Sequence, residues 1–211
     1  VSEAIPNNSA VTLQSTWDLL GKTETIGSLA GSSGSINFAG ATTGTGGSLL
    51  VGENNTNTIY SGSFSSTSSS PSSFIKNGTG KLTLSGSSNN YYGTIQASAG
   101  TLSITSSSAF GRTSSGDGTS VQSGATLELA MTGTNTLAEP ITLNGGTLSA
   151  TAGTNTLSGT LSLTADSTIS VGTGLTLTKS VSAISTSTKI LTTAGSGTLN
   201  LGNFGLTAAE I

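Results

Sequence analysis

The side chains here whose spacing could do acid–base chemistry are carboxylates. The sequence has no cysteine and no histidine, which removes disulfide frameworks, zinc sites with Cys or His ligands, Cys-His chemistry and Ser-His-Asp triads. What remains is the pairing of two acids across a glycosidic bond, one donating a proton and the other acting as base or nucleophile. After the first fifty residues the acids are Glu53, Asp117, Glu128, Glu139, Asp166 and Glu210. Asp117 and Glu139 are 22 positions apart, the right interval to be neighbours at one corner of a coiling chain. Glu128 sits between Leu127 and Leu129 and points outward from a strand. No Asp-Asp or Asn-x-Asp motif accompanies them, so a polysaccharide-cleaving enzyme ranks third among the functions considered, and no catalytic residue is assigned.

Other ligand chemistries fare no better. No Gly-Gly-x-Gly-x-Asp tract is present and no Asp recurs at a fixed period, so there is no repeated calcium site. Gly44 to Gly47 is glycine-rich but is followed by neither Lys nor a helical pattern, which a phosphate-binding loop requires. Six Lys and Arg against nine Asp and Glu give a net charge of -3 and no basic stripe for nucleic acid. No cofactor or metal is expected. The remaining pattern is hydroxyl-based. Thr134/Thr136 and Thr154/Thr156 stand in register, with Thr176/Thr178 and Thr186/Thr188 read as repeats at other phases. Ranks of Thr-x-Thr on a flat solenoid face suit ice or a carbohydrate surface, whereas Thr is also an ordinary strand residue. The four registered threonines are the candidate surface-binding residues.

Such residues need elements to hold them, and the pattern for those elements is short. Leu82-Thr83-Leu84, Thr94-Ile95-Gln96-Ala97 and Leu102-Ser103-Ile104 alternate with period two and are separated by turns on Gly86, Asn89, Asn90, Gly93 and Gly100. Leu82 and Leu102 begin equivalent runs 20 residues apart, one turn of a coil. Further on, Leu127, Leu148 and Ile169 recur at 21; Ile141, Leu161, Val181 and Leu201 at 20; and Leu137, Leu157 and Leu177 at 20. Gly-Thr-Asn-Thr-Leu occurs identically at 133–137 and 153–157. Three series predict three faces, and the fold class expected is all-β: a right-handed parallel β-helix with about 20–25 residues per coil. Leu82, Leu102, Leu127, Leu148 and Ile169 should stack inward on one face. Trp17, the only Trp, is expected to pack over the first rung from a capping coil at residues 1–22. One continuous solenoid then fills 23–211, with loops near 65–73 and 105–119. Ser and Thr exceed a third of the chain, only 7% of residues are charged, and the polar surface is accordingly hydroxyl-rich.

The stretch from Asn77 to Ile104 resembles the repeat of autotransporter passenger domains. The positions that carry the resemblance are Gly78, Gly80, Leu82, Leu84 and Gly86, then Asn89 or Asn90, Tyr91 or Tyr92, Gly93 and Thr94, and finally Ala99, Gly100, Thr101 and Leu102. Ile26 to Gly31, Leu49 to Gly52, Tyr60 to Gly62 and Ile75 to Gly78 look like its lead-in. The resemblance implies a secreted or surface-displayed right-handed β-helix at an outer surface of the Gram-negative type, and it implies no particular activity.

On that reading the expected function is structural: a stalk, an adhesin shaft, or a subunit of an extracellular filament. The alternative is a module that binds host or environmental glycans through its Thr/Ser/Asn-rich faces and loops. No window approaches the roughly 20 apolar residues of a membrane helix, residues 1–6 do not read as a signal peptide, and no strands of an outer-membrane barrel are evident. The run Leu206 to Ile211 suggests an uncovered last rung, to be satisfied by end-to-end self-association or by continuation into further repeats.

Overall fold

Alternating apolar residues three to five at a time, punctuated by glycine, leave a chain able to make short strands but no single coil able to enclose a core. The computed structural model resolves this by stacking. It describes residues 4–42, 44–67, 72–87, 89–113, 116–180, 184 and 188–201; Val181, Thr186, Glu210 and the run Leu206 to Ile211 lie outside these. The described residues form short strands and no helix, paired in parallel through about eight turns of a β-solenoid.

Each full turn visits three faces. Face one is a seven-stranded sheet running from Thr58–Tyr60 to Leu191–Ala194, preceded by the pair Ala10–Thr12 and Ser28–Ala30 and linked to it by the bridge Gly31 to Tyr60. Face two carries three early strands, Thr16–Asp18, Ser35–Asn37 and Ser63–Ser65, and four late ones, from Thr134–Leu137 to Thr198–Asn200. Face three is a second seven-stranded sheet, Thr23–Ile26 to Leu161–Ala165.

The inward columns are the core. On face one Leu82, Leu102, Leu127, Leu148 and Ile169 pair residue on residue, and all five are buried. The ladder is bounded by Thr58 at one end and Thr193 at the other. On face three one column reads Glu24, Leu49, Phe74, Ile95, Thr119, Ile141, Leu161 and the next Ile26, Val51, Lys76, Ala97, Val121, Leu143, Leu163. Burying each aliphatic side chain contributes about 1.5–3 kcal/mol, and each does so only because the coil above and the coil below cover it. The early coils use rings instead: Phe38, Tyr60, Phe64, Phe74 and Tyr91 make a cluster with centroids 4.9 to 6.1 Å apart, within the range where aromatic pairs attract.

Several sequence expectations shift. Leu137 pairs with Leu157, but Leu157 pairs with Lys179 and Leu177 pairs with Asn155, because this coil is two residues longer than the one before it. Leu177 remains buried and passes its place on to Leu199. Leu201 does not join Ile141 and Leu161. Thr198–Asn200, which precedes it, pairs with Thr176–Thr178 on face two, whereas the Ile141–Leu161 column is on face three.

Within the expected entry coil, strands at 10–12 and 16–18 are already paired, and Trp17 stands opposite Ile36, half-buried against the core. Ser65, Ser72 and Ser73 belong to strands, so the first loop is narrower than 65–73. Gly118 and Thr119 likewise begin a strand. Phe110 and Ala109, inside the second loop, are buried and belong to the hydrophobic core.

Candidate functional site

Outward side chains on face two form a hydroxyl grid. Thr134, Thr154, Thr176 and Thr198 are in one column, and Thr136, Thr156, Thr178 and Asn200 in the next. The same longer coil that takes Leu177 out of register brings Thr176/Thr178 into it, contrary to the other phase expected from spacing, so three Thr-x-Thr ranks stack where two were foreseen. Strand spacing sets the grid at about 4.8 Å by 6.6 Å. Face one has its own outward column, Thr101, Thr126, Thr147, Thr168 and Thr192, so stacked threonine is a general device of this wall. Beneath the face-two grid Asn135 and Asn155 point inward: Asn155 donates to the Ala152 carbonyl at 2.7 Å and Asn135 to that of Thr132 at 3.0 Å. The repeated pentapeptide thus secures a corner, since these amides occupy carbonyls that the turn leaves without a strand partner.

A polar groove lies at the corner between face three and face one. The pairing of Ile141–Asn144 with Leu161–Ala165 shifts register after Leu143, a bulge that sets Asn144 opposite Ala165. Asn144 donates to Gln122 Oε1 at 2.7 Å and accepts from Thr164 Oγ1 at 3.0 Å. Asp166 accepts the Ile190 N–H at 2.9 Å, and exposed Lys189 completes the lining. Amide, amide, carboxylate and ammonium therefore follow one another on successive coils, an arrangement suited to hydrogen-bonding sugar hydroxyls.

The acids expected to face a substrate behave differently. Glu128 does point outward, and its carboxylate crosses the intervening strand to pair with Lys81 over Ser103. Despite burial, which works the other way, this contact and hydrogen bonds from neighbours hold its pKa below the usual value. Asp117 and Glu139 are electrostatically coupled at one corner, as their spacing predicted. Glu139, however, is 3% exposed, and its carboxyl turns into the core, where the Thr119 hydroxyl donates to Oε1 at 2.8 Å. Its carboxyl is therefore turned away from the outer surface, where a glycosidic oxygen would lie.

Sequence reasoning missed the internal charges, because alternation predicts only which positions point inward. Lys76 occupies the Val51–Ala97 column and is 1% exposed. Its stem lies along the core, and its ammonium donates to the carbonyls of Asn77 at 2.6 Å, Gly78 at 2.9 Å and Ala99 at 3.2 Å, while burial brings its pKa down to about 8. Lys179 is buried too, opposite Leu157. Glu24, inward at the first coil, accepts the backbone N–H groups of Ala4 at 2.9 Å and Ile5 at 2.6 Å. The signal available was period-two parity: each of these residues falls on the apolar phase of its strand.

Among the described residues no group of three or more acidic, His or Cys side chains is placed to hold a metal ion, and no helix is long and apolar enough to cross a membrane. No curated protein and no solved structure matches the chain. Residues 74–104 and 122–150 match the family model described as the passenger-associated-transport-repeat. These stretches supply consecutive rungs of faces one and three, including Leu82, Leu102, Leu127 and Leu148. The chain is therefore a β-solenoid carrying the repeat of autotransporter passenger domains.

Proposed function

We propose that this chain serves as a rigid shaft, the stalk of an exported surface adhesin or the subunit of an extracellular filament. The observation that carries the reading is the unbroken register of the inward ladder on face one. From Leu82 to Ile169 every rung on face one is apolar and buried, and the polar side chains with defined partners mostly serve corners and walls. Fold and repeat support a structural passenger-like role and an exported location. The test is display. The native polypeptide, produced in a bacterium with an outer membrane, should expose this segment to antibody on intact cells; a segment detected only after lysis would overturn the proposal. End-to-end association of the purified chain is part of the same reading, and electron micrographs showing isolated rods at high concentration would remove it.

A second reading, a glycan-binding module, is favoured by the groove of Gln122, Asn144, Asp166 and Lys189 together with the face-two threonines Thr134, Thr136, Thr154 and Thr156. A glycan array probed with wild type and with Asn144→Ala decides it. Saturable binding that the substitution removes supports the module, and an array without signal rejects it.

A further inference from the structure

The corner where the chain enters face three carries an arrangement that neither a shaft nor a groove uses. Three successive coils arrive there as Tyr92-Gly93-Thr94, Gly118-Thr119-Ser120 and Pro140-Ile141-Thr142, stacked through Thr94 with Gly118 and Thr119 with Ile141. Acids tie them together. Asp117 accepts the Gly93 N–H at 2.8 Å, one coil back. Thr119, inward and 2% exposed, donates its N–H to the Pro140 carbonyl at 2.9 Å and its hydroxyl to Glu139 Oε1 at 2.8 Å. Glu139 Oε2 is buried and has no hydrogen-bond partner among the described residues.

We propose that Glu139 is a pH-sensitive latch, joining these coils when its carboxyl is neutral and loosening the corner when the carboxyl ionises. The titratable groups that face Glu139 are Asp117, which disfavours a second negative charge, and Tyr91, whose hydroxyl donates to the Thr94 carbonyl at 3.1 Å. On the opposite side the next coil supplies Gly159, set tightly over the Glu139 backbone, and Thr160, whose carbonyl accepts the Ile141 N–H at 2.8 Å. No ion pair to Glu139 is formed among the described residues. A neutral carboxyl suits so buried a setting, and an ionised one has no counter-charge among the described residues. Burial first, and Asp117 after it, accordingly raise the Glu139 pKa from 4.5 to about 7, against the pull of Thr119.

The sign follows from which state holds the proton. The closed corner binds it more tightly than the open one, so closure is firmest below about 4.5, weakens as pH rises toward 7, and is level above that.

Hydrogen exchange followed by mass spectrometry, corrected for the intrinsic pH dependence of exchange, tests this on the full chain at pH 4.5 and 7.5. In wild type, protection of peptides covering 116–122 and 134–144 should fall about tenfold or more at the higher pH, while peptides from 147–171 change little. Glu139→Gln should remove that difference, and Asp117→Asn, which keeps an acceptor for Gly93, should reduce it. An equal loss in wild type and Glu139→Gln, or no loss in wild type, overturns the latch. Should Glu139→Gln fail to fold, carbon-detected titration of the Glu139 carboxyl in wild type serves instead: a midpoint near 7 supports the proposal, and one below about 5 rejects it.

Discussion

Lys76 shows how a charge can sit in an apolar column without breaking it. Its methylenes take the place of a hydrophobe between Val51 and Ala97, and its ammonium ends on three turn carbonyls. Lys76→Met keeps the packing and removes those bonds, so it should cost about 1–3 kcal/mol in chemical denaturation; an unchanged midpoint would show that the carbonyls are equally well served by water. Gly100 is constrained by space. Its φ is +61°, and an added Cβ would lie 2.6 Å from the carbonyl oxygens of Gly78 and Gly80 in the coil beneath. Gly100→Ala should therefore lower stability by roughly 1–3 kcal/mol, measured against Gly124→Ala, where φ is +79° but nothing lies within 4 Å; equal losses would mean that backbone strain, not coil contact, sets the cost. At Glu139 the folded state holds a proton that the unfolded chain releases near 4.5. Glu139→Gln should accordingly be more stable than wild type at pH 8, by up to about 3 kcal/mol, with the gap closing toward pH 4.5. Paired urea melts at the two pH values check this, and a gap that widens in acid would contradict it.

At the scale of elements, the strand is the unit that carries register, and the ladder on face one is where it is least tolerant. Leu148 is fully buried between Leu127 and Ile169. Leu148→Asp leaves an unpaired charge between two apolar rungs and should lower stability by about 4 kcal/mol or more, read as a thermal midpoint falling by roughly 10 °C; a melt within a degree of wild type would refute the stacked placement. Register also answers to coil length. Two extra residues between Asn155 and Leu177, relative to the 20 of the preceding coil, replaced an expected leucine ladder with a leucine-to-lysine step and at the same time completed a third rank of threonines. A two-residue change in one turn thus keeps each side chain on its face but gives every residue of the following strand a new partner.

The whole molecule follows from neighbours, since coils contact mainly the coils adjacent to them. Excising Thr147 to Ser167 removes one turn and brings Thr168-Ile169 directly over Thr126-Leu127, apolar on apolar and hydroxyl on hydroxyl. That shortened chain should keep an all-strand circular dichroism spectrum and lose about 4.8 Å of length in solution scattering; a collapse to a disordered spectrum would show that the array depends on more than adjacent contacts. Low charge and continuous parallel pairing suit a shaft, and the pH response assigned to the Glu139 corner would make one section of it softer at neutral pH than in acid.

Period-two alternation and the return of leucine every 20 or 21 residues were enough by themselves to determine the solenoid, its three faces and the Leu82 to Ile169 ladder, because in a stacked coil the identity of a residue and that of its neighbour one turn away solve the same burial problem. The coupling of Asp117 with Glu139 was legible in the same way, from an interval of one coil. Only the tertiary structure decided that Glu139 turns inward to Thr119, that Lys76 and Lys179 sit at core positions, that Phe110 joins the core from a loop, and that Leu177 and Leu201 leave their predicted series. Each of these depends on a turn's exact residue count or on where a long side chain finds hydrogen-bond partners across coils, and both are settled by three-dimensional contact between turns that a repeat interval does not encode.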